Sequence, residues 1–258
     1  MTYIGLGPVR TWYETVGAPG PPLVLLHPGL FGAESWFAQR DPLAAAGFGV
    51  WLPERRGHGH SPDVPGPLSY QVMADDTVAF LEAVVPGPAH LVGWSDGAVV
   101  GALVAMQRPD LVNRLVLIGQ YFNPAGRAPS GLTDQLSQWR DDPPPFLHEY
   151  YDQVSPDGPG HFAEFFAKAL DMFDREPDVE LPRLAAIAAD TLVLQGDRDE
   201  VTVAHSAAVA AAIPRGRLAV LPGSHALPVE SPALVNELVA TFLRDGPPGP
   251  AWDAMTSG

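Results

Sequence analysis

The chain has 258 residues, a formal net charge of −15 at pH 7 and no cysteine. This length suffices for one large domain with a sizeable core, and the lack of cysteine excludes disulfides, thiolate metal sites and cysteine nucleophiles. Lys168 is the single lysine, and an acidic chain of this kind is a poor partner for nucleic acid, whose phosphates need a basic face. We therefore expect a small-molecule substrate that is neutral or cationic.

The N-terminal segment and the distribution of apolar residues predict a cytoplasmic protein. Residues 1–8 lack the basic region and the long apolar core of a secretory signal. No apolar run approaches the ~20 residues that cross a membrane. The sequence thus predicts no membrane partner, and it leaves the oligomeric state open.

Strands and helices alternate through the first half of the chain. Residues 3–6 and 9–16 predict a hairpin, because the second stretch alternates and is rich in β-branched and aromatic residues. Apolar runs typical of strands buried on both faces of a parallel sheet lie at 23–26, 48–53, 90–92 and 113–119. Helices are predicted at 34–46, 69–84 and 98–107. This alternation indicates an α/β fold with a parallel, doubly wound sheet.

A serine at the end of the central strand has the surroundings of a nucleophile. Ser95 lies in the stretch Gly93-Trp94-Ser95-Asp96-Gly97, between an apolar strand and an apolar helix. This G-x-S-x-G pattern forces the serine into a strained turn that lifts its hydroxyl out of the sheet. A side chain at position 93 or 97 would collide with neighbouring backbone. The N-terminus of the following helix, with its unpaired N–H groups, points at the place where an oxyanion would form.

With this elbow in its strand–turn–helix context, the sequence resembles the α/β-hydrolase superfamily of serine hydrolases. The resemblance covers residues 3–243. It implies a mostly parallel doubly wound sheet of about eight strands, with helices on both faces and a helical cap inserted after strand 6. It also implies that the loop after the strand at 23–26 supplies a backbone N–H to the oxyanion hole, with Gly29 as the donor and Leu30 as the fallback. The second donor would be the N–H of Asp96.

Three histidines near this site are interpreted as structural. His27 opens the oxyanion loop, where we expect it to hydrogen-bond the loop; Pro28 replaces the usual glycine and leaves open whether the His27–Pro28 bond is cis. His58 and His60 lie in a stretch that resembles the superfamily's D-x-R-G-x-G-x-S turn, with Glu54 in place of the aspartate. Two imidazoles without a third ligand at helical spacing make a weak metal site, so no metal is predicted.

The alternation stops at residue 120 and resumes at 184. Helical segments among Pro- and Gly-rich breaks are predicted at 133–140, 145–154 and 161–174. Because members of the superfamily carry an insertion here, we expect a core of residues 1–119 and 184–245, a cap of residues 120–183 and a flexible tail of residues 246–258. Most aromatic cap residues are expected to pack the cap helices. The candidate substrate pocket is lined by Leu30, Trp94, Tyr121, Trp139, Phe146 and Phe166.

The other catalytic candidates follow two late strands, predicted at 191–195 and 217–221, with helices at 203–212 and 232–243. In the superfamily the chain order is nucleophile, acid, histidine, and His225 is the histidine in the last strand-exit loop. The G-D-x-D turn of the superfamily implies Asp199 as the acid that orients His225. Asp197 and Glu200 remain alternatives, with Asp197 favoured as a residue that structures the turn.

The side chain of Asp96 has two interpretations. It could cap the helix that begins at Gly97, since aspartate is favoured at that position. It could instead bind an amine on the substrate, which the acidic net charge would favour.

The resemblance implies a serine hydrolase without a cofactor that cleaves a small, largely apolar ester or lactone through an acyl-enzyme on Ser95. Four alternatives stay open because the fold alone does not fix function. They are an amino-acid ester or amide hydrolase that uses Asp96, a C–C bond hydrolase, a peroxidase-like enzyme, and a non-hydrolytic member such as a ligand receptor or a biosynthetic cyclase or dehydratase.

Overall fold

The structure is a computed structural model that describes residues 2–129, 131, 135–136 and 138–245. The strands are β1 (Thr2–Leu6), β2 (Val9–Val16), β3 (Pro22–Leu26), β4 (Gly49–Pro53), β5 (Ala89–Trp94), β6 (Val112–Ile118), β7 (Asp190–Gly196) and β8 (Gly216–Leu221). The α-helices are α1 (Arg40–Ala45), α2 (Tyr70–Val84), α3 (Asp96–Gln107), α4 (Pro145–Val154), α5 (Phe162–Arg175), α6 (Val203–Ala212), α7 (Leu227–Glu230) and α8 (Pro232–Asp245).

The strands form one sheet in the order β1-β2-β4-β3-β5-β6-β7-β8. β1 and β2 make the predicted hairpin at one edge, and β2 runs antiparallel to β4. From β4 to β8 every neighbouring pair is parallel. The prediction of a mostly parallel sheet of about eight strands is therefore confirmed. The parallel strands place the loops after β3, β5, β7 and β8 at the same edge of the sheet.

Helices cover both faces of the sheet because its central strands are apolar on both sides. Leu23 to Leu26 of β3 are all fully buried. Leu23 and Leu25 belong to a core cluster that includes α1 and α8, whereas Val24 and Leu26 belong to the cluster of α2 and α3. Alternate residues of one strand thus fill two different layers, as continuous apolar runs in a parallel sheet require.

One predicted helix is divided in the structure. Residues 34–46 were expected to form a single helix, but Ala33–Trp36 is a 3₁₀ turn and α1 begins only at Arg40. Pro42 gives the physical reason. Proline lacks an N–H and is tolerated only in the first helical turn, so a helix that contains Pro42 has to begin shortly before it. The 3₁₀ turn buries Trp36 completely in the core.

The segment between β6 and β7 adds no strand to the sheet in the residues that are described. It contains α4 and α5, which contact each other through the stacked rings of Tyr151 and Phe165, 5.1 Å apart. The division into core and cap stays a prediction. The predicted helix at 133–140 lies partly outside the described residues, and the predicted tail at 246–258 lies wholly outside them. None of the described helices has the length and apolarity that crossing a bilayer requires.

The N-cap of α2 gives a stability prediction. The Oγ of Ser69 accepts a hydrogen bond from the backbone N–H of Val72 at 3.1 Å, as the sequence predicts. We expect Ser69→Ala to lower the free energy of unfolding by about 1 kcal/mol, because one N–H of the first turn loses its acceptor. Urea unfolding of both proteins would measure this. Ser69→Asp, which restores an acceptor, should recover most of the loss, and equal midpoints for the alanine and aspartate variants would contradict the capping role.

Candidate active site

The turn between β5 and α3 has the strained geometry of a nucleophile elbow. Ser95 has φ 54° and ψ −122°, and it is the N-cap residue of α3. A Cβ at position 97 would overlap the carbonyl oxygen of Leu26, and one at position 93 would overlap that of Gly97. Glycine is therefore required at both positions. The collisions expected from the sequence are therefore present. The strained backbone of Ser95 is held in place by a hydrogen bond from its N–H to the carbonyl of Ile118, at 2.9 Å.

Ser95, His225 and Asp199 come together at the carboxyl edge of the sheet. The Nε2 of His225 lies 3.1 Å from the Oγ of Ser95, and its Nδ1 lies 2.9 Å from the Oδ1 of Asp199. The carboxylate can only accept, so Nδ1 carries the proton and Nε2 is free to accept the serine proton. The three residues come from the loops after β5, β7 and β8. Their geometry is that of a Ser-His-Asp triad.

The three acid candidates occupy different positions. Asp199 is buried against His225, with its side chain 1% exposed. Asp197 instead accepts a hydrogen bond from the backbone N–H of Gly223 at 2.9 Å, which links the loops after β7 and β8. The Oε1 of Glu200 lies 3.6 Å from the Nε2 of His225, on the side of Ser95. Asp199 is thus the candidate that holds the Nδ1 of the ring.

The surroundings of His225 favour its protonated form. Burial lowers its pKa, whereas the hydrogen bond and the charge of Asp199 raise it. The carboxylates of Glu200 and Asp96 add to this effect, and the net result is a pKa above the ordinary value of histidine. An imidazolium that forms during a reaction would therefore be stabilised. The loop that carries His225 is fixed by Trp94, whose Nε1 donates to the His225 carbonyl at 2.9 Å.

The side chain of Asp96 does not cap α3. The helix begins at Asp96 itself, one residue earlier than predicted, and no side chain caps it. The Oδ1 of Asp96 accepts from the hydroxyl of Tyr70 at 2.7 Å, whereas Oδ2 is buried without a hydrogen-bond partner among the described residues. Burial raises the pKa of Asp96, and the nearby charge of Arg55 reduces that rise. The capping interpretation is therefore wrong, and one buried carboxylate oxygen next to Ser95 has no hydrogen-bond partner in the described part of the chain.

The loop after β3, which begins at His27, is held in place by hydrogen bonds of His27 and Arg55. The ring of His27 is fully buried, and its Nε2 accepts from the backbone N–H of Arg55 at 3.1 Å. The guanidinium of Arg55 donates to the carbonyls of His27 and Pro28 at 2.6 and 3.0 Å. Burial lowers the pKa of His27 well below its usual value, so the ring stays neutral and structural.

This loop brings Gly29 and Leu30 to the nucleophile. The only cis bond in the described residues is Glu176–Pro177, so His27–Pro28 is trans. Leu30 has φ 65°, and it and Ser95 are the non-glycine residues with positive φ in the described part of the chain. A Cβ at position 29 would overlap the Oδ2 of Asp96. Two residues with positive φ and a glycine in close approach to Asp96 therefore border the same cavity, and backbone strain of this kind is common at functional sites.

The turn after β4 is held by hydrogen bonds to its glutamate. Glu54 is fully buried and accepts from the backbone N–H groups of Ala33 and His60, at 2.9 and 2.5 Å. The Nδ1 of His60 lies 3.1 Å from the same carboxylate. Burial, together with the charge of Arg55, lowers the pKa of His58 to about 3. These contacts fit the interpretation of a tight structural turn.

A cavity of about 480 Å³ lies over Ser95 and His225. Its predicted lining residues Leu30, Trp94, Tyr121, Trp139 and Phe146 all border it. The prediction for Phe166 is wrong. Phe166 is 3% exposed, packs on Phe162 at 5.2 Å between ring centres and does not border the cavity. It lies on the same face of α5 as Phe173, which borders the cavity, but two helical turns closer to the start of the helix. Aromatic content alone cannot tell which turn of the helix reaches the cavity.

Several lining residues were not predicted. They are Phe31, Glu34, Phe37, Tyr70, Leu136, Leu147, Tyr150, Phe173 and Glu200. Tyr70 is the first residue of α2 and reads as ordinary core in the sequence. Its position over Asp96 arises from the packing of α2 on α3, so no local pattern could have indicated it. The described lining residues include three carboxylates, at Glu34, Asp96 and Glu200, and neither lysine nor arginine.

One group of possible metal ligands lies away from the cavity. Asp63, His161 and Glu164 each offer a ligand atom within 4.8 Å of the others. The ammonium of Lys168 lies among them, 2.6 Å from Asp63 and 3.2 Å from Glu164. A cation would be repelled by that ammonium. We therefore interpret the group as an ion-pair network that joins the loop at Asp63 to α5.

Comparisons with known proteins agree with this fold. The chain is 30% identical to the RutD protein of Variovorax paradoxus, which carries the name of a carbamate hydrolase, over 92% of this chain and 97% of that protein. It is 37% identical to mouse sn-1-specific diacylglycerol lipase ABHD11, but the match covers 42% of this chain and only 35% of the lipase. A thermophilic esterase from Thermogutta terrifontis shares the fold with a TM-score of 0.73 and 26% identity, over 92% of this chain and 94% of the esterase.

The profile of the Alpha/beta hydrolase family matches residues 23–238. This range includes the elbow, the oxyanion loop and the loops that carry Asp199 and His225. The resemblance inferred from the motifs is thereby confirmed, as is the prediction of a hydrolase of this type. The chain belongs to the alpha/beta hydrolase family.

Proposed function

We propose that this protein is a serine esterase that cleaves small, largely apolar carboxylic esters or lactones. The observation that carries the proposal is the hydrogen-bonded chain from Ser95 through His225 to Asp199, at 3.1 and 2.9 Å. Ser95 and His225 border a cavity whose lining is mostly aromatic and aliphatic. A serine hydroxyl becomes a useful nucleophile only when a base takes its proton, and this arrangement supplies the base and its orienting carboxylate.

In the proposed reaction, the Oγ of Ser95 attacks the ester carbonyl while Nε2 of His225 takes the proton. Asp199 holds the ring and stabilises the imidazolium. The backbone N–H groups of Gly29 and Asp96 hold the oxyanion, and the first N–H groups of α3 have no acceptor within the helix. His225 then gives its proton to the leaving alcohol. In the second half of the reaction, water attacks the acyl-enzyme while His225 takes its proton, and His225 returns that proton to the Oγ of Ser95 as the acid is released.

The cavity limits the size and polarity of the acyl group. A volume of about 480 Å³ admits a small ligand. We further propose that residues 120–183 form a cap over this cavity, because Trp139, Phe146 and Phe173 of that segment line it. Replacing these side chains would alter which substrates are accepted and leave the triad in place.

A panel of p-nitrophenyl esters of increasing acyl length tests the proposal. We expect saturable turnover by the wild-type protein, with an optimum at short to medium chains, because longer chains would exceed the cavity. A folded protein that turns over no ester in the panel would contradict the proposed function and favour C–C cleavage, non-hydrolytic chemistry or ligand binding.

A second candidate, amino-acid ester hydrolysis, is favoured by one observation. Among the described residues, the Oδ2 of Asp96 is buried without a hydrogen-bond partner next to Ser95, and an ammonium on the acyl group would satisfy it. Burial raises the pKa of Asp96, but an adjacent ammonium would favour the ionised form and bring that pKa down again.

The ester pair that tests this candidate differs in one amine. Leucine methyl ester and methyl 4-methylpentanoate have the same carbon skeleton. If Asp96 binds the amine, Asp96→Asn should reduce the kcat/KM ratio of the first ester to the second about 10-fold to 100-fold, as expected for a lost charged hydrogen bond. A ratio that is unchanged, with both esters turned over, would remove this candidate and leave the general esterase.

A further inference from the structure

Glu200 contacts the catalytic histidine from the side of the cavity. Its Oε1 lies 3.6 Å from the Nε2 of His225, and its side chain is 10% exposed. The Nδ1 of the same ring already donates to Asp199. Glu200 therefore cannot be the acid that orients the ring, because it faces the other nitrogen. Its position calls for a different role.

The backbone holds Glu200 firmly in that position. The N–H of Ala128 donates to the carbonyl of Glu200, and Arg127 forms a β-bridge with Val201. Next to it, Asp199 is fixed by its bond to His225 and accepts from the N–H of Val201 at 3.3 Å. Backbone hydrogen bonds thus fix the loop from which the side chain of Glu200 borders the cavity.

The chemistry at Nε2 defines what Glu200 faces. His225 protonates the leaving alcohol, so the leaving oxygen has to approach Nε2 to about 3 Å. Glu200 is a neighbour of that same nitrogen. Its carboxylate therefore borders the space of the leaving group, whereas the Oδ2 of Asp96 lies against Gly29 in the oxyanion loop. The two carboxylates serve different parts of the substrate.

We propose that Glu200 is a specificity-determining residue that binds a positive charge in the leaving group, so that the preferred substrates are esters of cationic alcohols. This inference rests on the proposed esterase function. No lysine or arginine borders the cavity in the described part of the chain, so the lining there carries no permanent positive charge. Aromatic side chains such as Trp139 and Phe173 also line the cavity, and aromatic ring faces attract alkylammonium groups.

The reaction itself is unchanged by this role. Ser95 forms a bond to the carbonyl carbon, the bond from that carbon to the alcohol oxygen breaks, and the proton on Nε2 of His225 passes to that oxygen. The cationic alcohol leaves as a whole. An ammonium two carbons from the oxygen would reach Glu200 while the oxygen stays at His225.

The test uses two esters that differ only in charge. Both carry the best acyl group from the p-nitrophenyl panel; one alcohol is choline and the other is 3,3-dimethylbutanol, in which carbon replaces the nitrogen. We expect the wild-type protein to prefer the choline ester. Glu200→Gln should reduce the ratio of the two kcat/KM values about 10-fold to 100-fold, because the amide no longer attracts the cation. Glu200→Asp should keep part of the preference.

One further variant and one further measurement complete the design. Glu237→Gln removes the same charge from an exposed site on α8 and should leave the ratio unchanged. The pH profile of the neutral ester gives a second measurement. Asp199, Glu200 and Asp96 all raise the pKa of His225, so Glu200→Gln should move the acidic limb of kcat/KM to lower pH.

Each result has one meaning. Equal kcat/KM values for the two esters in the wild-type protein would overturn the role of Glu200, and so would a choline-to-neutral ratio that Glu200→Gln leaves unchanged. The proposed esterase function would stand in both cases. A ratio that falls in Asp96→Asn and not in Glu200→Gln would place the cation at Asp96 and also overturn it. No turnover of any ester would overturn both proposals.

Discussion

Replacing Ser95 with alanine is expected to reduce kcat for the best ester on the order of 10⁶-fold, the loss seen when a triad serine is removed. The residual rate would come from the oxyanion donors and from binding. The fold should survive, because the Oγ makes its one described hydrogen bond to His225, at 3.1 Å. The elbow is held instead by backbone contacts, such as the N–H of Ser95 to the carbonyl of Ile118.

Two controls make this result specific. Ser155→Ala removes a hydroxyl from a half-buried position after α4, where Ser155 contacts Asp157, and should keep full turnover. A fluorophosphonate probe should add its mass to the wild-type protein and to Ser155→Ala, but not to Ser95→Ala. Turnover that persists in Ser95→Ala, or a label found on another serine, would show that the nucleophile is misassigned.

The sequence predicted what local patterns and chain order encode. The elbow could be recognised because glycines at 93 and 97 flank a serine between a strand and a helix, and the structure gives both glycines a steric reason. The loops that carry Asp199 and His225 could be located because each follows an apolar strand, and parallel strands end at one edge of the sheet. The choice of Asp199 within its loop came from the resemblance to the superfamily's G-D-x-D turn. No comparable sequence pattern tells which side chains of residues 120–183 line the cavity.

The two wrong predictions at the site, for Asp96 and Phe166, have specific physical causes. Asp96 was favoured as a helix cap, but Ser95 takes the N-cap position with φ 54°, whereas an N-cap residue usually has an extended backbone. The strain of the elbow thus starts the helix one residue early and frees the carboxylate for Tyr70, 26 residues away in the chain. The error at Phe166 has another origin. Phe166 and Phe173 share one face of α5, and only the packing of the helix decides that the turn with Phe173 borders the cavity.

Asp199→Asn is expected to lower kcat on the order of 10³-fold to 10⁴-fold, because an amide no longer fixes the tautomer of His225 or stabilises its charge. The fold should be preserved, since the amide has nearly the same shape as the carboxylate. The pKa of His225 should fall as well, because the hydrogen bond and charge of Asp199 raise it. The acidic limb of kcat/KM should therefore shift to lower pH.

Asp197→Asn is the matched control, two residues away in the same turn. Asp197 accepts from the N–H of Gly223 at 2.9 Å, and the carbonyl oxygen of asparagine can accept the same bond. This variant should keep kcat within a small factor of the wild-type value, with an unchanged acidic limb. The reverse pattern, a large loss at position 197 and none at 199, would mean that the wrong aspartate is assigned to His225. Equal large losses at both would instead show that the turn's net charge, and not one carboxylate, sustains the base.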